Sequence, residues 1–194
     1  MALLSRSQYQ ERLQNVRLLV TDVDGVLTDG SIYYTEQNVE TKRFHVRDGS
    51  GFYIARLIDL PLVVITARSS AAVARRFSEL PVHALVQGTF DKVTACADVQ
   101  RQLGIDDRQV AYMGDDLVDL PLLRRVGVAI TVADAHPLVR QQADWITGLA
   151  GGKGALREVV DDIVSARGLW DRVMNDYETR QGGASDVGFG READ

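Results

Sequence analysis

Short apolar runs alternate with amphipathic stretches along most of the chain. Near-continuous apolar runs of this length are typical of strands buried on both faces of a parallel sheet. The predicted strands cover residues 18–20, 62–65, 110–113 and 127–132. The spacing of apolar residues predicts helices over residues 51–59, 71–80, 92–103 and 117–126. This alternation predicts an α/β fold with a doubly wound, mainly parallel sheet.

One segment departs from this alternation. Residues 31–46 carry β-forming residues on both sides of Glu36-Gln37-Asn38, which predicts a small β-hairpin inserted after the first strand. The insertion is too short to form a cap domain. Residues 179–194 are rich in glycine, serine and charge and have no periodicity, so we expect a flexible tail after a single domain over residues 1–178.

Composition narrows the possible partners and compartment. The 194 residues are 45% hydrophobic and 25% charged, as in an ordinary globular domain. A net charge of −5 argues against nucleic acid or an anionic membrane as the main partner. The single cysteine, Cys96, excludes an internal disulfide. No apolar run approaches the ~20 residues of a membrane span, and the polar first 17 residues do not resemble a secretion signal, so we expect a cytoplasmic protein.

Residues able to bind a metal ion and phosphate follow three of the predicted strands. The carboxyl ends of parallel strands lie at one edge of the sheet, where ligands bind. Converging carboxylates repel one another unless a cation neutralises them, and hard oxygen ligands suit Mg²⁺. A hydroxyl and an ammonium group beside such a site suit a phosphoryl group. The residues are Asp22, Asp24, Thr66, Asp115, Asp116 and Asp119, together with Lys92 at the start of a helix.

The most specific motif is Asp22-Val-Asp-Gly-Val, directly after an apolar strand. Taken singly, an acidic loop or a lysine at a helix start is usually a solvated charge. Here Gly25 lets the chain turn away from a bound group. With Thr66, Lys92 and residues 114–119 in the same order, the motif resembles the four ordered motifs of the haloacid dehalogenase-like phosphatases. The resemblance covers roughly residues 17–166 and implies their Rossmann-like fold, here without a cap domain.

The resemblance implies a role for each residue of the reaction centre. Asp22 is the expected nucleophile, which forms an aspartyl phosphate. Asp24 is the expected general acid, which protonates the leaving alkoxide and then deprotonates the attacking water. Thr66 and Lys92 are expected to bind the oxygens of the transferring phosphoryl group.

The resemblance also implies a magnesium site. The expected ligands of Mg²⁺ are Asp22, the backbone carbonyl of Asp24, and Asp115. Two neighbouring acidic residues are expected to support them: Asp119 holds Lys92, and Asp116 supports the metal-binding loop.

Three further stretches narrow the resemblance. Residues 44–49, 133–137 and 151–158 resemble the phosphatases that hydrolyse 3-deoxy-D-manno-octulosonate 8-phosphate, an eight-carbon sugar-acid phosphate of lipopolysaccharide precursor synthesis. Besides Asp24 and Lys92, the substrate contacts that this resemblance implies are His45, Val46, Arg47, Asp48, Gly49, Arg68 and Arg76.

Two positions depart from the pattern of these phosphatases. Ala67 stands where many relatives have glycine, which alters the backbone approach to the site. Tyr53 stands where relatives often have lysine or arginine, which removes one expected contact to the substrate carboxylate. Arg56, about one helical turn later, is the candidate replacement.

Two alternative functions stay open at this point. The first is a phosphatase for a nine-carbon sugar-acid 9-phosphate; Arg68 favours the eight-carbon acid, and Tyr53 weakens that preference. The second is a non-catalytic oligomerisation module of the same fold, against which the intact Asp22, Asp24 and Lys92 argue. The sequence itself does not identify the physiological sugar acid.

The predicted hairpin also bears on assembly. Its apolar residues are too numerous for a free two-stranded ribbon, which is marginally stable alone. The resemblance implies a homotetramer in which hairpins pack together and a neighbouring subunit covers the site. The residues concerned are Ile32, Tyr33, Tyr34, Val39 and Phe44.

Overall fold

A computed structural model describes residues 3–182 of the chain. Eight strands lie in this range: β1 (Leu18–Thr21), β2 (Tyr33–Tyr34), β3 (Glu40–Thr41), β4 (Leu62–Ile65), β5 (Ala84–Val86), β6 (Val110–Met113), β7 (Val128–Thr131) and β8 (Trp145–Ile146). Six of them form one sheet of order β5-β4-β1-β6-β7-β8, in which every pair of neighbours is parallel. The predicted parallel α/β sheet is therefore confirmed.

Helices cover both faces of this sheet. They are α1 (Arg6–Gln14), α2 (Val46–Leu57), α3 (Ala71–Ser78), α4 (Lys92–Leu103), α5 (Leu120–Leu123), α6 (Pro137–Arg140), α7 (Ala155–Ala166) and α8 (Trp170–Gly182). Successive strand residues face opposite sides. Leu19 and Val64 therefore pack with residues of α1, α2 and α7, whereas Leu18 and Val63 pack with residues of α4 and α5. This burial on both faces explains the continuous apolar runs.

Two predicted helices differ from those observed. The helix expected over residues 51–59 begins at Val46, because the His45 side chain accepts a hydrogen bond from the Arg47 amide and caps it. The segment expected as one helix over residues 117–126 is a 3₁₀ turn (Leu117–Asp119) followed by the short α5.

The predicted hairpin is present but shorter than expected. Strands β2 and β3 pair antiparallel, with Tyr33 opposite Thr41 and Tyr34 opposite Glu40. The turn between them contains Asn38, whose φ of 57° suits asparagine better than most residues. Val46, the expected end of the hairpin, is the first residue of α2.

The expected flexible tail lies mainly outside the described residues. Helix α8 includes residues 179–182, where we expected the tail to start. The rest of that segment, residues 183–194, is outside the described range. None of the helices within residues 3–182 combines the length and the apolar composition that crossing a bilayer requires.

Candidate active site

The loop after β1 presents the two aspartates of the first motif. The Asp22 amide donates to the Met113 carbonyl at 2.9 Å, which ties the loop to the end of β6. The Thr21 hydroxyl donates to the Asp22 carbonyl at 2.9 Å. Gly25 then turns the chain with a φ of 85°, a conformation that favours glycine. Asp22 is thereby fixed at the carboxyl edge of the central strand, and Asp24 follows at the turn.

The loop after β6 is built around the buried carboxylate of Asp119. One of its oxygens accepts hydrogen bonds from the amides of Asp115 (2.8 Å) and Asp116 (3.1 Å). The other accepts one from the Tyr112 hydroxyl at 2.6 Å. Asp116 itself accepts a hydrogen bond from the Leu117 amide at 2.7 Å and begins the 3₁₀ turn. This framework directs the Asp115 carboxylate at the loop after β1, where a Cβ atom on residue 25 would overlap it.

These two loops bring three carboxylates together. One oxygen each from Asp22, Asp115 and Asp119 lies within 4.8 Å of the others. Burial is the main cause that raises the pKa of Asp22 to about 7 and that of Asp115 to about 8, and the charge of Asp119 raises both further. The Oδ1 atoms of Asp22 and Asp115 are buried and have no hydrogen-bond donor within residues 3–182. Two such oxygens at an acidic site fit a divalent cation with oxygen ligands.

Lys92 joins the carboxylates from the first turn of α4. Its ammonium nitrogen lies 3.0 Å from Asp22 Oδ2 and 2.6 Å from Asp119 Oδ1. Burial lowers the pKa of Lys92, but Asp22 and Asp119 together raise it above its ordinary value, so the side chain carries a positive charge. The expected pairing of Asp119 with Lys92 is present in the structure.

Thr66 lies at the end of β4, next to β1 in the sheet. The residue is buried, and its hydroxyl oxygen accepts a hydrogen bond from the Arg68 amide at 3.3 Å. Thr66 therefore ends a strand at the same edge as Asp22, as the sequence predicts. Because its hydroxyl hydrogen is available, Thr66 can donate to an anion at this edge.

Asp24 is held by residues from two other loops. Lys42 Nζ donates to Asp24 Oδ1, and Arg68 Nε lies 3.8 Å from Asp24 Oδ2. Arg68 also donates to Glu40 at 2.8 Å. Arg68 was predicted from the sequence, whereas Lys42, which directly follows β3, was not. The alternation of Glu40 and Lys42, which places both on one face of a strand, was the available signal.

The other expected substrate residues lie around the start of α2. A small depression of about 10 Å³, room for about one water molecule, is lined by residues that include His45, Asp48, Gly49 and Arg76. The Arg76 guanidinium packs against Gly49. Of the remaining two, Val46 and Arg47 are exposed. No hydrogen bond or ion pair among the described residues joins this group to the three carboxylates.

Asp48 has a structural partner that the sequence did not reveal. The residue is 3% exposed, and its Oδ1 accepts a hydrogen bond from the Arg157 amide at 2.9 Å, in the first turn of α7. Burial raises its pKa, and the surrounding amides of α7 act in the opposite direction. The structure therefore directs this oxygen of Asp48 toward α7 rather than toward a substrate.

Relatives often have a basic residue where Tyr53 stands, and Arg56 was the candidate replacement. The structure does not place Arg56 in that role. Its guanidinium stacks over the Tyr53 ring, 5.5 Å from the ring centre. The Tyr53 hydroxyl donates to the Glu79 carbonyl at 3.2 Å. Both side chains are thus engaged with α2 and the end of α3.

The two further motifs, residues 133–137 and 151–158, contact the loops that carry the carboxylates. The His136 amide donates to the Asp115 carbonyl at 2.9 Å. The Gly151 amide donates to Asp134 at 2.9 Å, and a Cβ atom on residue 151 would overlap the Gly25 carbonyl. The motifs therefore fix the loops that carry the carboxylates.

Comparisons with known proteins identify the family of the chain. Residues 62–157 match the model of the haloacid dehalogenase-like hydrolase family. The chain is 44% identical over 160 residues to 3-deoxy-D-manno-octulosonate 8-phosphate phosphatase KdsC of Escherichia coli K12, which covers 82% of this chain and 85% of the relative. The chain belongs to the haloacid dehalogenase-like hydrolases.

Two solved structures of the haloacid dehalogenase-like hydrolases are similar to this chain. One is the phosphatase from Moraxella catarrhalis in complex with magnesium, phosphate and Kdo, with 38% identity, a TM-score of 0.85, and coverage of 88% of this chain and 98% of that chain. The other is the cobalt-bound enzyme from Haemophilus influenzae, with 41% identity, a TM-score of 0.78, and coverage of 81% and 92%. The first is named a 3-deoxy-D-manno-octulosonate 8-phosphate phosphatase, and the second a deoxy-D-mannose-octulosonate 8-phosphate phosphatase. Kdo is the abbreviation of 3-deoxy-D-manno-octulosonate.

Proposed function

We propose that this protein is a magnesium-dependent phosphatase that hydrolyses Kdo 8-phosphate to Kdo and phosphate, a step in lipopolysaccharide precursor synthesis. The observation that carries the proposal is the state of Asp22. One of its oxygens faces Lys92, and the other is buried without a hydrogen-bond donor among residues 3–182. The 44% identity to a phosphatase of this substrate supports the same activity.

The residues at the site fit a magnesium ion. Asp22 and Asp115 would hold it through their unpartnered oxygens, together with the backbone carbonyl of Asp24. When bound, the ion neutralises the carboxylates and the charge of the phosphoryl group. A cation would also offset the repulsion among three clustered acidic residues, of which Asp22 and Asp119 are buried and Asp115 is half-buried.

The reaction follows from the roles of two aspartates. A carboxylate oxygen of Asp22 attacks phosphorus, the bond from phosphorus to the sugar oxygen breaks, and Asp24 gives its proton to that oxygen. In the second step Asp24 takes a proton from water, the water oxygen attacks phosphorus, and the phosphorus–Asp22 bond breaks. Lys92 favours the ionised form of Asp22 that this attack requires.

Thr66 and Lys92 are proposed to hold the phosphoryl oxygens. Thr66 directly follows β4, the strand next to β1. The Lys92 ammonium nitrogen lies 3.0 Å from Oδ2 of Asp22, the proposed nucleophile. Because its buried carboxylate partners hold the Lys92 ammonium group in place before the substrate binds, the group need not move when negative charge develops on the phosphoryl oxygens during transfer.

Recognition of the sugar acid is proposed to involve Arg68, Arg76 and the segment from His45 to Gly49. Arg68 adjoins Asp24 and its side chain is 42% exposed, so it can contact a substrate carboxylate. Arg76 and His45 line the depression at the start of α2. Asp48 is the weakest member, because one of its oxygens binds α7.

The active assembly is proposed to be a homotetramer. Exposed large apolar residues concentrate in segments after the carboxyl ends of strands, on the side of the active site. They include Ile32, Tyr33, Tyr34 and Val39 of the hairpin, Phe90 after β5 and Leu117 after β6. Patches of this kind favour association, and a second subunit would shield the site from water. A cytoplasmic location stays a prediction from the sequence.

A panel of phosphate esters tests the proposed function. We expect the purified protein to release phosphate from Kdo 8-phosphate only with Mg²⁺, and faster than from hexose phosphates or a nine-carbon sugar-acid 9-phosphate. Faster turnover of the nine-carbon ester would replace the substrate assignment. Absence of release from every ester would favour the non-catalytic module, against which the complete Asp22, Asp24 and Lys92 set argues.

A further inference from the structure

The Lys42 side chain occupies an unusual place for a lysine. It directly follows β3 of a two-stranded hairpin, yet the side chain is 0% exposed. Its ammonium nitrogen donates to Asp24 Oδ1 and lies 3.5 Å from Glu40 Oε1. Burial of an ammonium group is costly unless it is paired, and lysine is rarely fully buried. The pairing with Asp24 and Glu40 supplies the compensation.

Lys42 belongs to a ring of four alternating charges. Arg68 faces the same two carboxylates from the other side: its Nε lies 3.8 Å from Asp24 Oδ2, and its terminal nitrogen donates to Glu40 Oε2 at 2.8 Å. Arg68 is 42% exposed, whereas Lys42 is closed off from solvent. A solvated arginine can exchange its partner for a ligand, and an enclosed ammonium is restricted to the geometry that its partners define.

These contacts place the two carboxylate oxygens of Asp24 in different environments. Oδ1 accepts a charge-assisted hydrogen bond from Lys42. Oδ2 is buried and has no hydrogen-bond partner within residues 3–182. The Lys42 ammonium group therefore fixes one oxygen of Asp24 and leaves the other without a hydrogen bond in that range.

We propose that Lys42 is a positioning residue for Asp24: by holding Oδ1, it presents the free Oδ2 as the atom that gives and takes the proton. The inference rests on the proposed function, since it assigns a support to the general acid of that reaction. Glu40 in turn orients Lys42 and Arg68. The hairpin thereby takes part in the chemistry of its own subunit, in addition to any role in assembly.

The test compares two substrates and four single variants. Lys42→Met removes the charge at similar length, Lys42→Arg keeps a cation, Asp24→Asn removes the acid, and Arg43→Met is the matched control on the same hairpin, where Arg43 pairs with Asp29 at the surface. The substrates are Kdo 8-phosphate, whose alkoxide needs a proton to leave, and p-nitrophenyl phosphate, whose phenolate does not. Thermal unfolding is measured for every variant.

We expect Lys42→Met to lower kcat on Kdo 8-phosphate by about 10- to 100-fold, with KM changed much less, because a displaced general acid impairs the chemical step. With p-nitrophenyl phosphate, the first turnover should be nearly normal and later turnovers slow, which gives a burst of one phenolate per site. Lys42→Arg should recover part of the loss. The double variant with Asp24→Asn should be no slower than Asp24→Asn alone.

Several outcomes would overturn the inference. They are additive effects in the double variant, a raised KM with unchanged kcat, or an equal loss in Arg43→Met, which would indicate a general defect of the hairpin. If Lys42→Met does not fold, Lys42→Gln carries the same expectations. An inactive wild-type protein would refute the proposed function itself, whereas an active wild type that depends on Asp24 but not on Lys42 would refute only the inference.

Discussion

Lys92 and Asp119 form an ion pair enclosed by the protein, with 2.6 Å between Nζ and Oδ1 and almost no exposure of either side chain. Asp119 also accepts the Tyr112 hydroxyl and the amides of Asp115 and Asp116. The carboxylate thus links the lysine that we propose to bind phosphate to the loop that carries Asp115, a proposed metal ligand. Its loss would affect both charge and loop geometry.

The first prediction concerns this pair. Asp119→Ala should lower the free energy of unfolding by about 3–5 kcal/mol, because it removes one of the two carboxylate partners of the buried Lys92 and leaves the Tyr112 hydroxyl and two amides without their acceptor. Urea denaturation at neutral pH measures the change. Asp98→Ala removes the carboxylate of an exposed helical pair with Arg101 and should have a much smaller effect. Equal stability of the two variants would contradict the structural role of Asp119.

The second prediction tests the nucleophile. Asp22→Asn should reduce phosphate release on the order of 10³-fold or more, because an amide cannot accept the phosphoryl group. The fold should persist, since the change removes one charge from a crowded acidic site. Phosphate release is assayed with Mg²⁺, and Asp98→Asn serves as the surface control. Appreciable turnover by Asp22→Asn would show that Asp22 is not the nucleophile.

The third prediction concerns pH. Burial raises the pKa of Asp22 to about 7 and that of Asp115 to about 8, both from 3.8. In the cation-free protein, the stability that the protonated groups contribute is full below pH 3.8 and is lost as the pH rises through about 7 and 8. A divalent cation binds the ionised forms, so its stabilising effect should increase over the same range.

Thermal unfolding with and without Mg²⁺ measures this effect. The increase in Tm caused by Mg²⁺ should be larger at about pH 9 than at about pH 6. Asp115→Asn removes one ligand and one titrating group, so it should abolish most of the increase at either pH. A Mg²⁺ effect that is independent of pH would show that these carboxylates are not the ligands.

The fourth prediction distinguishes Mg²⁺ from Ca²⁺. Removal of divalent cations with a chelator should abolish phosphatase activity, Mg²⁺ should restore it, and Ca²⁺ should not restore it fully. Ca²⁺ takes more ligands at longer distances, which would displace Asp22 from the position for attack. The assay follows phosphate release after chelation and addition of each ion. Full activity with Ca²⁺ alone would contradict a site that requires the shorter ligand distances of Mg²⁺.

The carboxylate cluster could be predicted because parallel strands end at one edge. Asp22 and Asp115 are far apart in sequence, but each follows a strand in the apolar pattern, so the sheet alone brings them together. Thr66 follows by the same logic, whereas Lys92 was predicted from its place at the start of a helix. Residues at strand ends are therefore the part of a site that the apolar pattern can locate.

Contacts that depend on irregular segments could not be predicted in this way. The position of Lys42 depends on how the hairpin folds over the loop after β1, and strand periodicity does not determine that direction. Asp48 was expected to contact substrate only because of the resemblance, and its contact with α7 could not be foreseen because that helix was not predicted. Strands β5 and β8 were missed because runs of three and two residues are too short to show a pattern.

The last prediction concerns the hairpin as an assembly surface. Tyr33 and Tyr34 are 49% and 64% exposed on a two-stranded ribbon that is marginal by itself, so burial against other subunits would stabilise it. Tyr33→Glu with Tyr34→Glu should dissociate the proposed tetramer, because four buried pairs of carboxylates would repel and lose their hydration. Sedimentation velocity measures the assembly.

Activity on Kdo 8-phosphate should fall roughly tenfold or more, and activity on p-nitrophenyl phosphate should fall less, because a neighbouring subunit would position the sugar acid rather than the phosphate. The matched control is Tyr33→Phe with Tyr34→Phe, which keeps the apolar rings but removes the Tyr34 hydroxyl, a group that raises the pKa of the neighbouring Arg68. If the control loses as much activity as the glutamate pair, the Arg68 contact rather than assembly accounts for the loss. A wild-type protein that sediments as a fully active monomer would refute the proposed assembly, since no neighbour would then be needed to complete the site.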